Sequence, residues 1–360
     1  MATPTLAQAG NSRAPDVVIG VDTHKDAHMA VALAPNGGRL GEHRIPATRK
    51  GYDALIDWSE EFGTHPLFAI EGTSSYGAGL TRELLDAGFP VVEVNRPDRS
   101  VRRRLGKDDA IDAEAAARAY LAGTAGVTPK TGGDQVEMIR LIKVAKDSAT
   151  ESRTRAINQI KAILITAPAC LRERLESLTH RPLIETCAAL RPGLLTGPVA
   201  AAKRALRTLA RRVQALEEEI AELREDLDQL TQTVCPALRQ TYGVGVDSAA
   251  TLLTAAGDNP ERLRSDAGFA ALCGVNPLPA SSGKTNRHRL NRGGNRQANA
   301  ALHRIAVVRL RWDEQTQAYA TRRTEEGLSK REILRCLKRF IAREVFRILM
   351  GGPAVRPKMA

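Results

Sequence analysis

The 360-residue chain is poor in the features that staple, span or stack. Its five cysteines (Cys170, Cys187, Cys235, Cys273 and Cys336) include no Cys-x-x-Cys pair. No disulfide framework and no zinc knuckle can be read from that, and a reducing cytosol is the default expectation. No apolar run reaches the roughly 18 residues of a membrane-spanning helix, so no membrane partner is expected. Met1 to Pro15 lacks an apolar core of the secretory kind and reads as a loose tail. Aromatic residues make up only 4% of the chain, which argues against single-strand binding on stacked aromatic platforms. No Gly-x-Gly-x-x-Gly follows a strand in the first third, which excludes a dinucleotide fold there.

What is present is globular material, 42% apolar and 26% charged, enough for about two domains. The net charge of +12 is unevenly placed. Residues 1–130 hold 15 Lys/Arg against 17 Asp/Glu, whereas the remainder holds 38 against 24. A near-neutral front and a basic back suggest two tasks, the second drawing a polyanion such as nucleic acid. A basic soluble surface is the plainer alternative.

The front part reads as an α/β unit. VVIGVD (17–22), HMAVALA (28–34) and residues 39–45 after the Asn36-Gly37-Gly38 turn are three strands joined by tight turns. Residues 50–62 have helical spacing, LFAIEG (67–72) is a buried strand, a helix follows at 77–87, and PVVEV (90–94) is a fifth strand. An arginine-rich loop, 96–107, precedes an alanine-rich helix at 109–121. The order β-β-β-α-β-α-β-α is ribonuclease-H-like. Residues 133–200 read as helices broken near Pro168, Pro182, Pro192 and Pro198. Between 199 and 234, Leu206, Leu209, Val213, Leu216, Ile220, Leu223, Leu227, Leu230 and Val234 alternate spacings of three and four. That seam fits a coiled coil pairing with itself or a neighbour, or else a long core helix. Tyr242-Gly243-Val244-Gly245 opens a further helix, as a phosphate-facing turn or a plain one. Helices follow at 298–311 and 329–349.

Two constellations carry chemistry. Asp22 and Glu71 each end an apolar strand, and the two strands are neighbours in the expected sheet. Asp109 and Asp112, three apart at a helix start, face one side. Such crowded carboxylates repel unless a cation offsets them, and hard oxygen donors suit Mg2+ or Mn2+. Alternatively, Asp109 caps the helix and Asp112 serves its dipole, with Asp108 a rival to Asp109. Thr23, His24 and Lys25 could contact a phosphate or finish a turn. The second constellation is the run from Ser281 to Arg311. It holds Lys284, Arg287, Arg289, Arg292, Arg296, Arg304, Arg309 and Arg311, with interleaved asparagines including Asn295 and no acid. This mixture suits phosphate neutralisation with polar contacts. Ser282, before Gly283 in a proline-bounded loop, reads from its own surroundings as a turn residue.

GVDTHK (20–25), AIEGTSSYG (69–77) and GKDDAIDAEAAARA (106–119) resemble the front half of the insertion-sequence 110 (DEDD) transposases. YGVGVDSAATLLTAAGD (242–258), FAALCGVNPLPASSGKT (269–285) and LNRGGNRQANAALHR (290–304) are similar to that family's second domain. The resemblance implies a RuvC-like domain at 16–130 whose Asp22, Glu71, Asp109 and Asp112 hold divalent metal. It implies a helical and coiled-coil segment at 131–236, and a mainly helical transposase domain at 237–350 before a tail at 351–360. It implies that Ser282, with Ser281 as fallback, attacks DNA and becomes covalently linked to it. It implies a dimer or tetramer sharing active sites between subunits, donor and target DNA as partners, and a bridge RNA as guide. Arg102, Arg103 and Lys107, with Lys284, Arg287, Arg289, Arg292, Asn295 and Arg296, are the expected nucleic-acid contacts, in a nucleoid-associated protein. The competing functions are a RuvC-like nuclease in which water attacks, and a non-enzymatic nucleic-acid scaffold. A sugar kinase of the actin-like class is disfavoured, because no second Asp-x-Gly phosphate loop accompanies VVIGVDTHK.

Overall fold

The computed structural model describes residues 14–94, 108–281 and 288–352. They fall into two compact units, one of residues up to Asp134 together with Ala256–Arg264, the other of the remainder. Among the described residues there are thirteen α-helices and a five-stranded mixed sheet.

The sheet belongs to the first unit. Its strands are β1 (Val17–Thr23), β2 (Ala27–Leu33), β3 (Arg39–Pro46), β4 (Pro66–Glu71) and β5 (Val91–Val94). They lie in the order β3-β2-β1-β4-β5. β1, β2 and β3 pair antiparallel, as short turns require, while β4 and β5 join parallel after helical crossovers. This is the arrangement of a ribonuclease-H-like sheet, as the sequence order predicts. β1 is central, and its first six residues are buried, as a strand covered on both faces must be. Val17, Ile19 and Val21 pack with Leu55 of α1 (Arg49–Glu60) and Leu80 and Leu84 of α2 (Ala78–Asp86). Val18 packs on the other face, beneath Ala110, Ala113, Ala116 and Ala117 of α3 (Asp109–Leu121). Small side chains let α3 lie close to the sheet. At the closest approach the strand residue is Gly20, where a Cβ would stand 2.0 Å from the Ala113 carbonyl oxygen.

The second unit is helical apart from one short hairpin. α4 (Gln135–Thr166) packs against α7 (Pro198–Val234), whose 37 residues span about 55 Å. α5 (Ala169–Leu175) and α6 (His180–Ala188) lie between them in the chain. Leu206, Ala210 and Val213 share one core with Ala156, Ile160 and Leu164, so the two long helices run antiparallel. The apolar seam of α7 thus finds a partner within its own chain. Leu206, Val213 and Leu227 are buried, while Leu216, Ile220 and Leu223 are only half-buried. Pro168 breaks the helical run, but Pro182 sits in the first turn of α6, where its missing N–H costs nothing. The chain continues through α8 (Pro236–Gln240), α9 (Val246–Ala256) and α10 (Asp266–Leu272). Strands β6 (Pro277–Pro279) and β7 (His288–Leu290) precede α11 (Arg296–Trp312), α12 (Glu314–Glu325) and α13 (Lys330–Leu349). α12, the hairpin and α10 were not foreseen from the sequence. Among the described residues no helix is long and apolar enough to cross a membrane.

Candidate metal centre and basic segment

The four acids come from three elements of the first unit. β1 and β4 run parallel with Val21 opposite Ile70, so Asp22 and Glu71, the next residue on each, leave the sheet side by side. The Thr23 hydroxyl donates to the Glu71 carbonyl at 2.8 Å and ties the two strand ends together. Gly72 then turns the chain with φ +75°, a conformation that side chains other than glycine's rarely adopt. α3 brings in the other two acids. Its N-cap is Asp108, whose carboxylate accepts the Ala110 N–H at 3.1 Å. The cap role therefore falls to Asp108, while Asp109, the first residue of α3, stands 3.8 Å from the His24 ring.

Asp22 is 9% exposed and Asp112 3% exposed. Burial pushes the Asp22 carboxyl up to about 6; His24 opposes the shift, and Asp112, Glu71 and Asp109 add to it. Those three acids are thus close enough for their charges to be felt at Asp22, within one electrostatic site. His24 stands beside them, its Nδ1 3.6 Å from Asp22 Oδ2 and its Nε2 3.8 Å from Asp109 Oδ1. One donor atom from each of Asp22, His24 and Asp109 can be chosen so that all lie within 4.8 Å of one another. The sequence offered His24 as a phosphate contact or a turn residue, not as part of the acidic cluster. Its spacing of two from Asp22 across a strand end was the available signal, since alternate strand residues share a face. Carboxylate oxygens around a buried acid that is costly to ionise are a donor set that fits a divalent cation.

In the second unit the hairpin sets Pro279 opposite His288. The chain between them carries Ser281, which is exposed, and Ser282, which with Lys284 and Arg287 lies outside the described residues, as do Arg102, Arg103 and Lys107. Arg289, Arg292 and Arg296 are exposed. Asn295 is exposed too, but its side chain caps α11, accepting the Gln297 and Ala298 N–H groups at 3.0 Å each. Asn291 and Asn299 bond the carbonyls of Ala271, Cys273 and Gly274, so these asparagines hold the fold. Arg309 departs from the sequence expectation most clearly. It is buried, bonded to Glu344 at 2.7 Å and to the Tyr242 carbonyl at 2.9 Å, and is closed to phosphate. The Tyr242-to-Gly245 segment is a packed turn. A Cβ on Gly243 would meet Arg309 and Ile305 at 3.4 Å, ordinary contact, but its φ of +80° is a backbone conformation that favours glycine.

The first unit thus gathers acids at the ends of its central strands, and the second carries the exposed arginines. Comparison with family models names the family. The IS110 DEDD transposase model, described as a transposase, matches residues 19–167. A second model, described as the transposase IS116/IS110/IS902 family, matches residues 235–321. The chain belongs to the IS110 transposase family, which supports a DNA-cleaving transposase and implies use of a divalent metal. No curated protein matches it.

Proposed function

We propose that the protein moves a DNA element by cutting and rejoining phosphodiester strands through a serine–DNA link. Asp22, Glu71, Asp109 and Asp112 are the metal-holding groups of residues 16–130, and Ser282 in residues 237–350 is the nucleophile. The observation that carries this reading is the convergence of acids from β1, β4 and α3 on one electrostatic site around a buried Asp22. When bound there, Mg2+ or Mn2+ would supply Lewis-acid stabilisation of the charge that develops on a phosphodiester. The chain's own groups do the rest. The Thr23–Glu71 bond and the Asp108 cap hold the acids on rigid elements. The Ser282 oxygen bonds to phosphorus as the bond from phosphorus to one deoxyribose oxygen breaks. The hydroxyl gives up its proton, and the departing sugar oxygen gains one. Attack by another DNA end on the phosphoserine link reverses the step and frees the serine.

Arg289, Arg292 and Arg296, with Lys284, Arg287, Arg102, Arg103 and Lys107, would neutralise phosphates of donor and target DNA and of a guiding bridge RNA. α7 supports a pairing of copies. Lys203, Arg204, Arg207, Arg211 and Arg212 occupy its first half without an acid. Glu217, Glu218, Glu219, Glu222, Glu225, Asp226 and Asp228 crowd its second half beside Arg224. Two such helices laid antiparallel set opposite charges together, which favours a dimer or tetramer with shared sites.

The deciding experiment incubates the protein with DNA carrying the element's ends and looks for protein covalently attached to cleaved strands. Adduct is expected with wild type and absent from Ser282→Ala, Asp22→Ala and Asp112→Ala. Cleavage without adduct would move the attack to water. Full recombination by a Ser281→Ala/Ser282→Ala double variant would remove the serine mechanism.

A further inference from the structure

We propose that the imidazole of His24 is a ligand of the metal held by the acidic cluster, so that the site has a nitrogen donor beside its carboxylates. This rests on the divalent-metal reading given above and deepens it.

The distances carry the argument. His24 Nδ1 to Asp22 Oδ2, 3.6 Å, and His24 Nε2 to Asp109 Oδ1, 3.8 Å, are too long for hydrogen bonds. In an octahedral site with ligands at about 2.1 Å, adjacent donors stand about 3.0 Å apart and opposed donors about 4.2 Å apart. The two contacts are made by different ring nitrogens, only one of which can bind a given ion; what places the ring among the ligands is that one donor atom from each of Asp22, His24 and Asp109 can be chosen with all three within 4.8 Å of one another. The ring thus stands within reach of an ion shared with two acids, at separations beyond a hydrogen bond.

The position of His24 is also built. It is the first residue past β1, and its N–H reaches the Ala27 carbonyl at 3.2 Å and His28 Nδ1 at 3.3 Å. His28 is buried and stacked on Tyr52, with ring centroids 5.8 Å apart and planes within 5°. Burial pushes the His28 ring down. Its Nδ1 accepts the His24 N–H. His28 is a positioning residue that fixes the backbone from which His24 reaches the acids. His24 itself keeps a half-exposed ring, open to an entering ion or substrate.

A nitrogen donor shifts preference from Mg2+ toward softer ions such as Mn2+. The test loads the full-length protein with Mn2+ and records pulsed electron paramagnetic resonance. Wild type should show modulation from a directly bound nitrogen, and the pattern should change when histidine carries the heavy nitrogen isotope, a readout that needs no variant. His24→Ala should lose the modulation and bind Mn2+ about tenfold more weakly or worse. Its Mg2+ affinity should change far less. If Mn2+ binds to wild type, Asp22→Ala abolishes that binding and no nitrogen modulation appears, the His24 role is overturned while the metal site stands. If wild type shows no saturable Mn2+ binding, both fall.

Discussion

Replacing Gly20 by alanine tests how the acidic site is assembled. The added methyl would stand 2.0 Å from the Ala113 carbonyl oxygen and 2.7 Å from the Ala117 nitrogen, both backbone atoms that cannot rotate away. Ordinary contact starts at 3.4 Å, so α3 must retreat from β1 by about 1.4 Å at that point. Asp109 and Asp112 ride on α3, and Asp22 rides on β1. A metal site tolerates displacements of about 0.2 Å in ligand distance, so this retreat is several times too large. Mn2+ affinity should fall by an order of magnitude or more. Overpacking at such a contact costs about 1–3 kcal/mol. At roughly 4 °C per kcal/mol, the melting temperature of the metal-free protein should drop by about 4–12 °C. Calorimetry and Mn2+ titration on the same preparation measure both effects. A variant with wild-type melting and wild-type affinity would refute the reasoning, because the contact would then not set the spacing of the acids.

Three further outcomes follow from the same geometry. The folded-state value of Asp22, about 6, lies above its ordinary 3.8. The charge therefore costs nothing at low pH, and the penalty grows as pH rises from about 4 to 6 and stays complete above. Asp22→Asn should stabilise the metal-free protein near pH 7 by on the order of 3 kcal/mol and change little near pH 4, as chemical denaturation at the two pH values can show. Asp108→Ala should cost about 1 kcal/mol through the lost helix cap. Asp109→Ala should leave the melting curve closer to wild type and weaken Mn2+ binding, and equal effects of the two on metal would undo the assignment of roles. Glu344→Gln removes the charge facing buried Arg309. It should destabilise the protein by about 3–5 kcal/mol with Mn2+ binding intact, measured by denaturant unfolding.

The sheet was legible because its signals are local. VVIGVD and LFAIEG are apolar runs cut off by an acid, and tight turns leave consecutive strands no choice but antiparallel pairing. The helical unit was less legible, because an apolar seam specifies that a helix has a partner without saying which one. Leu206 and Val213 meet Ile160 and Leu164 some 50 residues earlier in the same chain, and a seam with charged flanks reads the same for a neighbouring subunit. α12 escaped although its start signal is local, because one residue serves two helices. Asp313 ends α11 and at once caps α12 by accepting the Thr316 N–H at 3.1 Å, with no proline or glycine to mark the corner.

The same difference between local and tertiary information sorts the charged residues. Asp22 stood out in the sequence because it breaks a local rule. An acid at the end of a buried strand raises its own pKa and costs stability, a burden that folding alone does not require. Arg309 obeys every rule available in the sequence. It sits in a basic, acid-free stretch at the spacing of its neighbours, yet it faces inward because α11 turns it toward Glu344 on α13. Helical phase decides it. Ala298, Ala301, Leu302, Ile305 and Ala306 define the buried face of α11, and position 309 continues that face while Arg296, Arg304 and Arg311 fall outside it. Charge counting sees a single run of cations. The three- and four-residue spacing from Ile305 separates Arg309, which holds the fold, from Arg296, Arg304 and Arg311, which are exposed.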